Sequence, residues 1–509
     1  MNAPPSARAA HQRELVPNAG LSSATATDWM DTLWDPDAAL LRATPSLAPH
    51  THMVRETIWY AVGLLSRGGA DDRTRAVEAV ESVLANQFSQ PGQVAHGTWR
   101  RWPGEPDPGP DAAEWRDYDP NWREFIGTAL LLILHEFEDD LPAALVTKID
   151  HALALATAGS RQRGVSAGYT NIALMAAYLY DGVGRRQDRP ELCTAGEALA
   201  TEVHALWART GTFPEFNSPT YYGVDLYGLA LWRGLSASPV LRGTGAEMES
   251  RLWEEIADRY HPELRNIAGP YDRSYGMDLQ RYASLLGLWI ELVTAGAHAP
   301  LPSGGPDGAQ HAHDWCFAPC FALLAAVPTQ EMSKRLTDFA GPRHVSTTVT
   351  AAPHRVATSW IGERLLIGAQ DTGSAQEAGR FVETWTSQYC PVAVHWKEPG
   401  TTGGVHWLRA APGTPVDARV DEEGVLRLVH RAGQSDDSPL RFEVCAPQTA
   451  DEHITATRWE LPGVTVQVAP AQGTDAVISR SGEVLHIEYV RTDAPGDGET
   501  RFVLRFATH

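Results

Sequence analysis

Two segments concentrate groups that bind sugars or move protons: Glu215-Phe216-Asn217-Ser218-Pro219-Thr220-Tyr221-Tyr222-Gly223-Val224-Asp225 and Gly269-Pro270-Tyr271-Asp272-Arg273-Ser274-Tyr275-Gly276-Met277-Asp278. Each is a loop that runs into an apolar, helix-like stretch, and each holds two tyrosines. A phenol hydroxyl can give or take a proton, an amide binds hydroxyls, and a guanidinium binds a carboxylate. A plainer reading exists for each residue. The tyrosines can cover helix ends, Arg273 can pair with Asp272 or Asp278, and Asp225 can serve the first turn of its helix. Their clustering in two loops, each opening a helix, favours a site.

Further residues join them. Tyr118-Asp119-Pro120-Asn121-Trp122 and Gly168-Tyr169-Thr170-Asn171 are openings of the same polar, aromatic kind. His96 lies in a loop with Trp99 and Trp102 and is the histidine best placed to act as a base. Tyr221, Tyr222, Tyr275, Arg273, Asn217 and His96 are therefore the catalytic candidates. Asn121, Trp122, Asn171, Glu215, Tyr271, Asp272 and Trp99 are the substrate-binding candidates, the tryptophans offering faces for sugar rings.

The elements that must position these groups are legible as periodicity. Apolar residues recur at helical spacing in Met53–Leu65, Arg73–Phe88, Trp122–Phe137, Leu141–Ala158, Ala167–Tyr180, Glu191–Ala208, Tyr222–Leu235, Glu247–Tyr260 and Asp278–Leu292. Gly and Pro punctuate them. The polar openings recur about every fifty residues, the rhythm of helical hairpins set round a ring or stacked as a solenoid. Loops that differ in sequence yet share one character favour the ring. From Val345 onward, short alternating runs such as Val464-Thr-Val-Gln-Val and Val484-Leu-His-Ile-Glu-Tyr-Val predict an antiparallel sandwich. The expected fold is thus α+β in two domains: a flexible leader over 1–37, an (α/α) toroid over 38–335 and a β-sandwich over 336–509.

Composition narrows the partners. The formal net charge of -21 argues against nucleic acid and anionic membranes, which need basic patches. The 17 tryptophans suit carbohydrate faces as well as helix packing. Five scattered cysteines give no disulfide framework. His311-x-His313-x-x-Cys316-x-x-x-Cys320 matches no established zinc spacing and reads as the start of a buried helix, so no metal ligand is assigned. No redox cofactor is expected; a structural Ca²⁺ held by scattered Asp and carbonyl oxygens would leave no motif. With no signal-peptide shape and no apolar run of roughly 20 residues, a cytoplasmic location is the default, with export by another route left open.

Asn121-Trp122-Arg123-Glu124-Phe125-Ile126-Gly127 is similar to the opening of one toroid helix in the toroid-plus-sandwich polysaccharide lyases, the alginate, hyaluronan/chondroitin and heparinase II/III-like families. Phe216-Asn217-Ser218-Pro219-Thr220-Tyr221-Tyr222 resembles their Tyr-bearing loops, and Ser359-Trp360-Ile361-Gly362-Glu363-Arg364-Leu365-Leu366-Ile367-Gly368 an early strand pair of their β-domain. The Asn-His pair usual in these families is absent here. The resemblance implies β-elimination on a uronate-containing glycan. Arg or Asn would neutralise the carboxylate and stabilise the enolate-like charge, and Tyr or His would move the proton.

Three other readings stay open. A hydrolase on a helical toroid would use two of Asp119, Glu215 and Asp272. A small-molecule eliminase or cyclase fits the missing signal peptide, although neither Asp139-Asp140 nor Asp71-Asp72 completes a terpene-cyclase motif. A carbohydrate-binding protein would have less use for so many ionisable groups in one place.

Overall fold

The computed structural model describes residues 21–352, 354–372, 388–401, 403–431, 439–470, 474–491 and 499–509. Its helices are α1 (Leu21–Leu33), α2 (Val54–Arg67), α3 (Ala70–Ala85), α4 (Trp122–Phe137), α5 (Ala143–Arg163), α6 (Thr170–Arg186), α7 (Pro190–Trp207), α8 (Tyr221–Leu235), α9 (Pro239–Arg259), α10 (Leu285–Thr294), α11 (Ala318–Leu324) and α12 (Gln330–Thr337). Short strands β1 (Trp34–Asp35), β2 (Leu40–Arg42) and β3 (His52–Met53) precede α2, and β4 (Tyr260–His261) and β5 (Asn266–Ile267) follow α9. No helix among the described residues is long and apolar enough to cross a membrane.

Helices pair in sequence, α2 with α3, α4 with α5, α6 with α7 and α8 with α9. Short connections make each pair antiparallel. The first members also touch in turn, α2 to α4 to α6 to α8 to α10, and α11 touches both α2 and α8, so the row bends back on itself. Phe317 and Phe321 fill the middle. Phe317 stacks on Trp59 of α2 at 4.1 Å and meets Tyr227 of α8, while Phe321 stacks on Trp289 of α10 at 4.6 Å. Gly223 lets α8 approach α10: a Cβ there would sit 2.4 Å from Leu285 Cβ. All the first members run the same way, so their N-terminal ends gather at one face. Partial positive charge from unpaired amides gathers there too.

Two expectations change. Residues 21–33 of the supposed flexible leader form α1, because Ala26, Trp29 and Met30 are buried in the core; the remainder, 1–20, lies outside the described residues. The helix expected from Asp278 begins only at Leu285, where the Ser284 hydroxyl caps it by accepting from Gly287 N at 3.0 Å. The residues before it stay as loop and reach the site.

The strands that follow are β6 (Arg343–Thr350), β7 (Arg355–Ile361), β8 (Leu365–Asp371), β9 (Val392–Trp396), β10 (His406–Ala410), β11 (Val416–Val420), β12 (Leu426–Arg431), β13 (Leu440–Cys445), β14 (Arg458–Leu461), β15 (Val464–Ala469), β16 (Thr474–Ser481), β17 (Val484–Arg491) and β18 (Glu499–Thr508). They form an eight-stranded sheet, β16-β17-β13-β10-β9-β8-β7-β6, and a five-stranded sheet, β11-β12-β18-β15-β14. Every pairing is antiparallel. Ile367, Val394 and Phe442 of the first share one apolar cluster with Leu428, Trp459 and Phe502 of the second.

The larger sheet grips the loop after α9. Tyr271 and Cys390 exchange backbone hydrogen bonds of 3.0 and 2.8 Å, and Ser274 N donates to Gln388 O at 2.9 Å. Gly368 is there because a Cβ would fall 1.9 Å from the Gly269 carbonyl carbon. Arg355 of β7 pairs with Asp272 in the same loop, and both are buried.

Inside α4, Glu124 is fully buried against the Ser160 hydroxyl, which also meets Tyr180 Oη at 2.8 Å. Burial raises its carboxyl to about 7, against the opposing pull of Ser160. A folded value above the unfolded one means the neutral acid favours folding. That contribution is complete below about pH 4.5 and is lost as pH rises through about 7. The span corresponds to about 3 kcal/mol. Glu124→Gln is expected to flatten this fall; denaturant melts of both chains at pH 4.5 and 8 measure it, and parallel pH curves would refute it.

Candidate active site

Arg273 is the hub of the cluster at the gathered helix ends. Its Nη1 donates to Glu215 Oε1 at 2.8 Å, its Nη2 to Tyr221 Oη at 2.5 Å and its Nε to Gln388 Oε1 at 2.9 Å. Its guanidinium also lies 3.7 Å from the Tyr221 ring centroid, a stacked cation–π contact. Asn171 Nδ2 donates to the other Glu215 oxygen. Burial pushes the Glu215 carboxyl up, opposed by Arg273 and Asn171.

Tyr221 Oη meets Tyr275 Oη at 2.7 Å. Because the Tyr221 oxygen already accepts from Arg273, its own proton is best directed to Tyr275. Burial raises both phenols. The shared bond lowers Tyr275 and raises Tyr221, so Tyr275 is the one favoured to ionise. Both keep a partly accessible face. The Tyr275 ring stacks on His311 at 4.3 Å and 12°. Burial lowers His311, which favours the neutral ring. His313 and Asp314 follow, with Arg55 Nη2 at 3.9 Å from Asp314 Oδ1 and 2.6 Å from Glu56 Oε1.

On the other flank, Asn121 Nδ2 donates to Tyr169 Oη at 2.9 Å, and Arg163 Nη1 donates to Asn121 Oδ1 at 2.8 Å. Burial pushes Tyr169 to about 12. Asp119 is raised by burial, against the attraction of Arg55, Arg101 and Arg163. Trp122 lies beside Arg55, 5.5 Å from its guanidinium.

The structure thus brings together Tyr221, Tyr275, Arg273, Glu215 and Asn171, with Asn121 and Trp122 on the flank. It places the other candidates elsewhere. Tyr222 is buried with its hydroxyl on Glu255. Asn217 holds the loop itself, its Nδ2 donating to Ala268 O and Pro270 O at 2.7 and 2.8 Å. Tyr271 donates to Ile267 O, and Asp272 is bound by Arg355 and by Phe216 N at 3.0 Å. Trp99 is fully buried; His96 is buried too, its backbone carbonyl against Gly159 of α5 and accepting from Arg123 Nε at 2.9 Å, while its Nδ1 has no hydrogen-bond partner among the described residues. Each of these has an internal partner or a packing role in place of a cleft-facing one. Arg273 differs too: its bonds to Glu215, Tyr221 and Gln388 hold it as a brace within the cluster, so it is not the open cation expected to take a substrate carboxylate.

Four participants were missed: His311, His313, Arg55 and Gln388. The spacing of His311 and His313 is visible in the sequence, but it runs on into Cys316 and Cys320, which turn into the core and make the motif look structural. Arg55 sits in an ordinary amphipathic helix, and Gln388 comes from the strand-forming half.

An α+β fold with a partly buried Arg–Tyr–Tyr cluster where the ends of its paired helices gather is a candidate enzyme architecture. The chain belongs to the family described as Domain of unknown function (DUF8769), whose model matches residues 23–326. Residues 342–484 match Domain of unknown function (DUF8770). No curated protein matches the chain. Among solved structures, a heparinase III is similar at 10% identity and TM-score 0.38, over 96% of this chain and 83% of that one. The endoglucanase CelQ from Clostridium thermocellum, complexed with cellobiose and cellotriose, is similar at 8% identity and TM-score 0.30, over 97% and 92%. Likeness at this level transfers neither substrate nor reaction.

Proposed function

We propose that this chain is a carbon–oxygen lyase that cleaves a uronate-containing saccharide by β-elimination, on an (α/α) toroid backed by a β-sandwich. The observation that carries the reading is the line Arg273, Tyr221 Oη, Tyr275 Oη, ending at a phenol that is only partly buried. Tyr275 as phenolate takes the C5 proton, the C5–H electrons become the C4=C5 double bond, and the C4–O bond breaks. The same phenol then returns its proton to the leaving oxygen. Tyr221 donates to the phenolate while Arg273 stands behind it, so the charge is stabilised by groups already in place. Arg273 is committed to Glu215, so on this reading the substrate carboxylate is taken on the side of Tyr275 where His311 and His313 lie.

The test is ultraviolet absorbance during incubation with uronate polymers and oligosaccharides, alongside a reducing-end assay. Elimination predicts a conjugated, unsaturated product. Inverting hydrolysis is the second reading, favoured by two buried carboxyls, Asp119 and Glu215, that both act on Tyr169 and are both raised by burial. It predicts new reducing ends with no absorbance, abolished by Asp119→Asn; that pattern would sink the lyase reading.

A further inference from the structure

We infer that His311, His313 and Asp314 form a binding site for a divalent transition-metal ion of borderline softness, zinc being the natural probe. One donor atom from each lies within 4.8 Å of the others. The two imidazole centroids are 5.7 Å apart with planes inclined at 53°, and His313 Nε2 faces Asp314 Oδ1 at 3.7 Å. Two imidazoles on one tetrahedral ion, with bonds of about 2.0–2.1 Å, place their centroids roughly 5 Å apart. Donor atoms on such an ion lie roughly 3.3 Å apart, so a contraction of up to about 1.5 Å between them completes the site.

The backbone is shaped for this cluster. His311 adopts a left-handed φ of 53°, and its ring ends beside that of His313. Such a conformation is unfavourable for a non-glycine residue and persists where the surroundings demand it. The Tyr275 ring, stacked on His311, fixes that imidazole from the opposite side. The far nitrogen of His313, Nδ1, is buried with no hydrogen-bond partner among the described residues, so this ring is not held by the core through that atom. The nearest competing cation, Arg55, is closer to Glu56 than to Asp314. Cys316 and Cys320 are fully buried and contribute no donor. Two nitrogens and one oxygen suit zinc and its neighbours, and a fourth position stays open for an exchangeable ligand.

The role of the ion, which rests on the elimination reading, is to take the substrate carboxylate at that open position. It would supply the neutralising charge that Arg273, bound to Glu215, does not offer. Tyr275 then stands next to the carbon whose proton must leave.

The experiment is titration of the chelator-treated full chain with Co²⁺, read by its visible ligand-field bands, and with Zn²⁺ by calorimetry. One ion per chain is expected. His313→Ala and Asp314→Asn should each weaken binding at least tenfold with unchanged circular dichroism, while Cys316→Ser binds normally. Absence of Co²⁺ bands at millimolar metal, or binding indifferent to both ligand variants, overturns the site. Metal binding without any ultraviolet product leaves the site standing and counts against elimination alone. Product formed by a chain that binds no Co²⁺ does the reverse.

Discussion

Tyr275→Phe is expected to lower kcat by about 10²–10⁴-fold with little change in KM, the range for loss of a group that moves a proton in the transition state. The substitution removes one oxygen and keeps the ring that stacks on His311, so the cleft wall survives. Tyr221→Phe removes the donor to Tyr275 and one Arg273 partner, and leaves the reacting phenol in place. Its effect should be smaller and of another kind. Elimination through a phenolate speeds up as pH rises through the Tyr275 ionisation. Losing the Tyr221 bond raises that ionisation, so the alkaline limb of kcat should move to higher pH. Steady-state rates across pH for the wild type and both variants decide it. A Tyr275→Phe chain that keeps more than a tenth of the wild-type rate would remove Tyr275 from the chemistry.

Arg355→Met is expected to cost about 3–5 kcal/mol of stability, because it leaves a buried carboxylate without its counter-charge. Asp272 is fully buried, and its second oxygen accepts only from Phe216 N among the bonds described. Gln370 completes the arrangement when its amide oxygen faces Arg355, at 2.6 and 3.0 Å. The damage should reach the active site, since Arg273 is the next residue along. Asp272→Asn in the Arg355→Met background should recover part of the loss by removing the stranded charge, and denaturant unfolding of the four chains gives the coupling directly. Additive effects would mean that the pair carries no shared energy. Asp272 had been one possible acid of a hydrolytic set; its ion pair gives it this structural task instead.

Periodicity exposed most of the helical scaffold because each helix buries one face, and that face is written in its own residues. Trp122–Phe137 emerged with its observed limits, and Tyr222–Leu235 within one residue. The leader misled because α1 is short and weakly patterned; its burial depends on what packs over it. The site was legible where chemistry and helix opening coincide, as at Tyr221, Tyr275 and Arg273. It was illegible where it depends on meetings across the chain. Nothing in Glu215-Phe216-Asn217 says that Glu215 faces Arg273 while Asn217 turns back to hold Ala268 and Pro270. Nor does the sequence around Gln388 reveal that a residue of the strand-forming half will brace a guanidinium from the helical half.

The hold of the larger sheet on the loop from Gly269 to Ser274 has a consequence for how such a chain can be taken apart or recombined. Residues 23–326 and 342–484 match separate family models, which invites treating them as interchangeable modules. The reactive groups lie in the first segment, but residues of the second hold them in place. Arg273 is oriented by Gln388, its loop is hydrogen-bonded to the backbone at Cys390, and Gly269 lies against Gly368 with no room for a side chain. A shuffled chain that kept every helix but received a foreign sheet would inherit all the tyrosines and lose the template that aligns them.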